Sequence, residues 1–218
     1  MEKEKSNMEY WGELIKAAPE AYKEWFQGEK EFFKRVIKKD STVLEVGCGD
    51  GRSLKDILPI TENLTGLDHD DLAISQAKDI FKNYPKVKII KGEATNLPFE
   101  DKSFDYTTCI GTFANLADKK FQVLEEMKRV TKNNGKIVIS VYSEKALPTR
   151  KKIYKRLNSP ILEIKDNGTV IFDESIGDNI SEQFSREQLR EIFKKAKLKV
   201  EEINEVGMAY ICLLSKPI

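Results

Sequence analysis

Glu45-x-Gly47-x-Gly49-x-Gly51, within VLEVGCGDGRSL at residues 43–54, is the part of this 218-residue chain whose types and spacing speak most directly of chemistry. Glycines let a backbone turn tightly and approach a ligand with no Cβ in the way. Placed between an apolar run and a helix, such a loop holds a nucleotide-like ligand, with the helix N-terminus aimed at it. Asp68 ends a second apolar run, LTGLD, and stands about 20 positions on, where an acidic residue takes ribose hydroxyls. Its bland alternative is a cap for the helix beginning at DDLAIS.

Three ligands compete for the loop. A Walker phosphate loop needs Gly-Lys-Ser/Thr after four spacers, and that pattern is absent. A dinucleotide fingerprint needs glycine at 52, where the chain has Arg52. S-adenosylmethionine carries a cationic sulfonium and amino group, which suit Glu45, whereas Glu45 and Asp50 would repel a diphosphate.

Composition narrows the chemistry further. Formal net charge is +1 with 33% charged residues, so no global field advertises nucleic acid or a membrane surface. Cys48, Cys109 and Cys212 are far apart and each sits in an apolar run, which fits reduced thiols in a cytoplasmic protein. His69 is the single histidine, so a Ser-His-Asp triad or a histidine-rich metal site is hard to build, and no metal is implied. The charged start MEKEKSN precedes no long apolar segment, arguing against a signal peptide or membrane span.

The elements that must position these residues alternate. A helix is read over 19–38, with Pro19 in its first turn. TVLEV, NLTGLD, VKII, FDYTTCI and GKIVISVY read as strands, and SLKDIL, DLAISQAKDIFKN and KKFQVLEEMKRV as helices. That alternation implies a parallel sheet with helices on both faces. Beyond 143, KALPTRKKIYKRL reads as a basic helix, and ILEIKDNGTVIFDE as a hairpin turning on two residues, Asn167-Gly168. Ser185 is placed as the N-cap of the helix in SREQLREIFKKA. KVEEINEV and AYICLLS close the chain as an antiparallel pair.

VLEVGCGDG, LTGLDHD, GEATNLPFEDKSFDYTTCIGTFANL and NNGKIVISVYS, in this order and spacing, resemble the class I S-adenosylmethionine-dependent methyltransferases. LPFEDKSFD is similar to the branch that methylates small molecules and some macromolecules. The resemblance runs from about residue 40 to 142 and resumes in 185–218. It implies an α/β Rossmann-like fold, a seven-stranded, mostly parallel sheet with the last strand antiparallel. It implies a single domain: an N-terminal helical lid over 1–39, a cofactor core over 40–143, an acceptor cap inserted at 144–184, and a closing helix and strand pair over 185–218. By position, Glu45, Gly47, Cys48 and Gly49 would line the methionine end of S-adenosylmethionine, with Gly51 allowing the close turn. Asp68 would bind the ribose, with His69, Glu93 and Ala94 near adenine. Cys109 and Ile110 would approach the methionine moiety, with Asn115 close by. His69 and Glu93 depart from the family's usual apolar residue and aspartate.

The implied reaction is methyl transfer by direct displacement, leaving S-adenosylhomocysteine, and it needs no conspicuous base. The expected acceptor is a small molecule; RNA or protein acceptors, or a non-catalytic cofactor-binding partner subunit, are the alternatives. Tyr10 and Tyr22, from an aromatic group with Trp11, Trp25 and Phe26, are candidate acceptor contacts. Tyr142 and Ser143 follow as weaker ones. Lys145, Arg150, Lys151, Lys152, Lys155 and Arg156 could grip phosphate or form a solvated helix face.

Overall fold

The computed structural model of the chain describes residues 7–177 and 179–217. The charged stretch over residues 1–6 lies outside the described residues. Two helices lead, α1 (Asn7–Ala17) and α2 (Pro19–Val36). Then come β1 (Val43–Val46), α3 (Arg52–Ile57), β2 (Leu64–Asp68), α4 (Asp71–Phe81), β3 (Lys88–Lys91) and β4 (Phe104–Ile110). The chain continues through α5 (Lys120–Val130), β5 (Thr131–Tyr142), α6 (Leu147–Arg156), β6 (Ile161–Ile164), β7 (Val170–Phe172) and β8 (Ile180–Ser181). It ends with α7 (Arg186–Lys195), β9 (Lys199–Val206) and β10 (Ala209–Ser215).

The main sheet has seven strands in the order β3-β2-β1-β4-β5-β10-β9. Pairing is parallel from β3 to β5, and β10 runs antiparallel to both β5 and β9. All four residues of β1 are buried, as a strand covered on both faces must be. Alternation along β5 separates the two layers. Ile137, Ile139 and Val141 join Leu124 and Met127 of α5 and Leu189 and Phe193 of α7. Val138 joins Phe33 of α2, Leu54 and Ile57 of α3 and Phe81 of α4 on the other face. Ser185 caps α7 in a full capping box with Gln188.

Three local features differ from the sequence reading. Residues 7–17 form a helix of their own, α1, ended before Pro19 opens α2. The 144–184 segment forms α6 and a separate three-stranded sheet, β6-β7-β8, whose third strand has only two residues. The hairpin does not turn on Asn167-Gly168 alone. Lys165 and Thr169 pair at 2.8 Å across a three-residue loop, and of the turn residues Gly168 takes positive φ, +80°. A two-residue type I′ turn needs positive φ at both centres; a type I turn closed by a left-handed glycine needs it once.

Arg150 organises this segment. It is fully buried, with its guanidinium 4.6 Å from the Tyr142 ring centroid. It donates to the carbonyls of Gly168 (3.3 Å) and Ser181 (2.8 Å), to Gln183 Oε1 (3.2 Å) and to the Tyr154 hydroxyl (3.0 Å). The other basic residues of the run, Lys145, Lys151, Lys152, Lys155 and Arg156, are exposed.

Candidate functional site

Strand order reverses between β1 and β4, because the chain steps outward from β1 to β2 and β3 and then returns to β1's other side. Open parallel sheets bind ligands outside the carboxyl ends of strands at such a point. Here lies a cleft of about 910 Å³, walled by the glycine loop, the ends of β2 and β4, α1, α2 and residues of the 144–184 segment.

The loop's shape follows from its glycines. Gly47, Gly49 and Gly51 have φ of +74°, +54° and +82°, a region side chains rarely adopt. A Cβ on Gly47 would lie 2.4 Å from the Thr112 side chain. Thr112 Oγ1 donates to the Gly47 carbonyl at 2.9 Å, tying the turn after β1 to the turn after β4. Asp68, 9% exposed, accepts the Gly49 N–H at 2.8 Å and the Asp70 N–H at 3.0 Å. The cap of α4 is Asp70, which accepts from the Leu72 and Ala73 N–H groups. Asp68 is thus a loop-facing carboxylate and not the helix cap. His69 is exposed beside it, with Nδ1 3.8 Å from Asp68 Oδ1.

Glu45 is 1% exposed on the cleft floor. The Ser53 hydroxyl donates to its Oε1, while Oε2 has no hydrogen-bond partner among the described residues. Burial pushes its carboxyl up to about 8, against the lowering pull of Ser53 and Arg52. Burial also pushes the Cys48 thiol far up, so it is no nucleophile at neutral pH.

Arg52, which in the sequence only breaks the dinucleotide pattern, is a central wall residue. Its guanidinium lies 3.9 Å from the Phe26 ring centroid, and Nη2 is 2.8 Å from Glu29 Oε2. Glu29 is fully buried on α2, and its Oε1 accepts from Ser140 Oγ at 2.6 Å. Trp25 Nε1 donates to the same Ser140 Oγ at 2.7 Å. The signal for Arg52 was its place directly after the third glycine, and for Glu29 its position on the apolar side of α2.

The Tyr22 and Tyr142 hydroxyls are 2.9 Å apart and both residues line the cleft. Burial pushes both phenols well above their ordinary range, so they stay protonated. Of the sequence candidates, Glu45, Gly47, Cys48, Gly49, Asp68, His69, Glu93, Ala94, Ile110 and Asn115 line the cleft together. Gly51 sits behind the wall, its α-carbon against Phe81. Cys109 is fully buried among the core residues of the sheet and does not line the cleft. Tyr10 is a second correction. Its ring packs edge-on to Trp11 and Phe172 and its hydroxyl donates to Ser159 Oγ at 3.0 Å, away from the cleft that Trp11 lines. Helical geometry explains it, because neighbours in a helix point about 100° apart. Ser143 is fully buried and is not a wall residue either.

The donor set fits a cationic nucleoside. An unpaired buried carboxylate oxygen, a cradle of glycines and a strand-end aspartate converge on one cavity. No group of residues among those described could hold a metal ion.

Comparison with known proteins agrees with this geometry. Residues 44–139 match a family described as "Methyltransferase domain". A demethylmenaquinone methyltransferase of Staphylococcus aureus is 34% identical over 137 residues, 59% of this chain and 56% of that protein. The chain thus matches little more than half the length of that relative. A solved structure from Pyrococcus horikoshii superposes with a TM-score of 0.73 at 24% identity, covering 90% of this chain and 91% of that one. An S-adenosylmethionine-dependent methyltransferase from Methanosarcina mazei gives 0.69 at 18% identity, covering 86% and 97%.

Proposed function

We propose that this chain is a class I S-adenosylmethionine-dependent methyltransferase that moves a methyl group from S-adenosylmethionine to a small-molecule acceptor. One observation carries the reading: a single cleft joins the Asp68-held glycine loop to the Tyr22–Tyr142 hydroxyl pair. Glu45, Gly47 and Gly49 hold the amino-acid end of the cofactor, and Asp68 takes the ribose hydroxyls. Glu93 and Ala94, with His69, border the adenine.

When bound, S-adenosylmethionine supplies a methyl group already activated on a sulfonium. The chain's own task is to hold, align and dry the reacting pair, which supplies about 7–11 kcal/mol in favourable cases. One O–H of the Tyr22–Tyr142 pair is spent between the two hydroxyls, and the other donates to the acceptor; neither phenol takes its proton, since burial keeps both neutral. Trp11 and Phe26 complete an aromatic wall suited to an apolar or planar molecule.

The 144–184 segment acts as the cap that selects the acceptor, since Ile180 and Asn179 reach the cleft and the family match ends at residue 139. A relative that acts on demethylmenaquinone supports a small acceptor over a polymer. So does the fate of the basic run. Arg150 is internal, Lys145 pairs with Glu205, and Arg156 donates to the Ala17 carbonyl, which leaves Lys151, Lys152 and Lys155 as the remaining exposed cations of the run. Three buried free thiols support a cytoplasmic enzyme.

Calorimetric titration with S-adenosylhomocysteine and with NADH tests the cofactor assignment. The thioether binds and stabilises the fold, by about 2.7 kcal/mol at 100 times Kd, and NADH does not. Binding of NADH alone would overturn the assignment.

A further inference from the structure

Three buried side-chain polar atoms on the walls of the cleft, Trp11 Nε1, Glu45 Oε2 and Arg52 Nη1, lack a hydrogen-bond partner among the described residues. Two, Glu45 Oε2 and Arg52 Nη1, flank the glycine loop in sequence. One is an acceptor and the other a cationic donor. Buried polar atoms left unpaired cost stability, so an acceptor and a cationic donor at one ligand cavity mark what the ligand brings.

Arg52 is built to present that donor. Phe26 covers the guanidinium face and Glu29 takes Nη2, so the plane is fixed on two sides. Nη1 is left 4.0 Å from Asp56 Oδ2, beyond hydrogen-bond reach. A guanidinium edge held this way matches a carboxylate, where a lysine would offer only a point charge. Glu45 is fixed similarly, because Ser53 holds Oε1. Ser53 is also the residue after Arg52, which keeps the two groups on one short stretch of chain.

We propose that Arg52 is a cofactor-binding residue, its Nη1 holding the α-carboxylate of the bound nucleoside's amino-acid tail while Glu45 Oε2 holds the α-ammonium. The pair selects a zwitterionic tail, which deepens the functional reading above and rests on it. Because Arg52 also clasps Phe26 and Glu29, a ligand carboxylate is wired to the helix that carries Tyr22.

The test compares S-adenosylhomocysteine with its decarboxylated form, by calorimetry, on the full chain and on variants. The unaltered protein prefers the carboxylated thioether by about 10- to 100-fold. Arg52→Gln loses that preference and binds the decarboxylated form as the unaltered protein does, which also shows that it folds. Arg52→Lys keeps part of the preference. Glu29→Gln, which loosens the guanidinium plane, loses part of the preference as well. No preference in the unaltered protein, or an Arg52→Gln variant weakened equally toward both thioethers, would overturn the assignment of Arg52 and leave the methyltransferase reading standing. Binding of neither thioether would overturn both.

Discussion

The carboxylate of Asp68 accepts two backbone N–H groups, from Gly49 and Asp70, and so holds the glycine loop at the cleft. On the proposed reading, Asp68→Ala removes the ribose contact and slackens that loop at once. Its Kd for S-adenosylhomocysteine rises by at least the ~1.5–3 kcal/mol of a hydrogen bond to a charged group; an unchanged Kd by calorimetry would refute the role. Glu45 makes a pH prediction. Its carboxyl rises from the ordinary 4.5 to about 8 in the fold. Between those values the folded chain keeps a proton that the unfolded chain has released. Its contribution to stability is therefore full below about pH 4.5, declines as pH rises and is spent above about pH 8. Buried Glu29, raised in the same direction, adds to the slope. Urea unfolding of Glu45→Gln across pH 5–8 gives a shallower decline than the unaltered protein, and parallel curves would contradict the burial argument.

Among the elements, Arg150 ties α6 to the β6-β7-β8 sheet and to Tyr142. Arg150→Ala leaves the Gly168 and Ser181 carbonyls without their partner and a cavity beneath Tyr142. It costs about 3–5 kcal/mol, read as a fall in the denaturation midpoint; a loss under about 1 kcal/mol would deny Arg150 its organising role. The β/α alternation, the capping of α7 and the glycine loop were legible because each rests on local spacing or on one residue's backbone demands. What escaped was tertiary. Arg150 looks like one more charge in a basic run, although it falls on the same stripe as Ala146, Ile153 and Tyr154, the buried side of the segment. Tyr10 and Trp11 are indistinguishable as aromatic neighbours until α1 is oriented against Phe172. Asn167-Gly168 announces a turn, but the loop length is set by the pairing of Lys165 with Thr169. Cys109 stands one residue before Ile110, and strand alternation sends the two to opposite layers.

Across the whole molecule, the cleft is walled by the strand-end loops of the sheet together with α1, α2 and the 144–184 segment; on the proposed reading the loops hold the cofactor and the added elements the acceptor. Methyl transfer to a small acceptor should therefore be nearly indifferent to salt. A polymer acceptor held through phosphates would instead show a KM rising steeply between 50 and 200 mM salt. The most direct measurement is incubation of the purified chain with methyl-labelled S-adenosylmethionine and a cell extract divided into small-molecule, RNA and protein fractions. Label in the small-molecule fraction, strongly reduced in Asp68→Ala, is the predicted result. Label confined to RNA or protein would contradict the small-molecule account and move the acceptor contacts to the exposed lysines of α6.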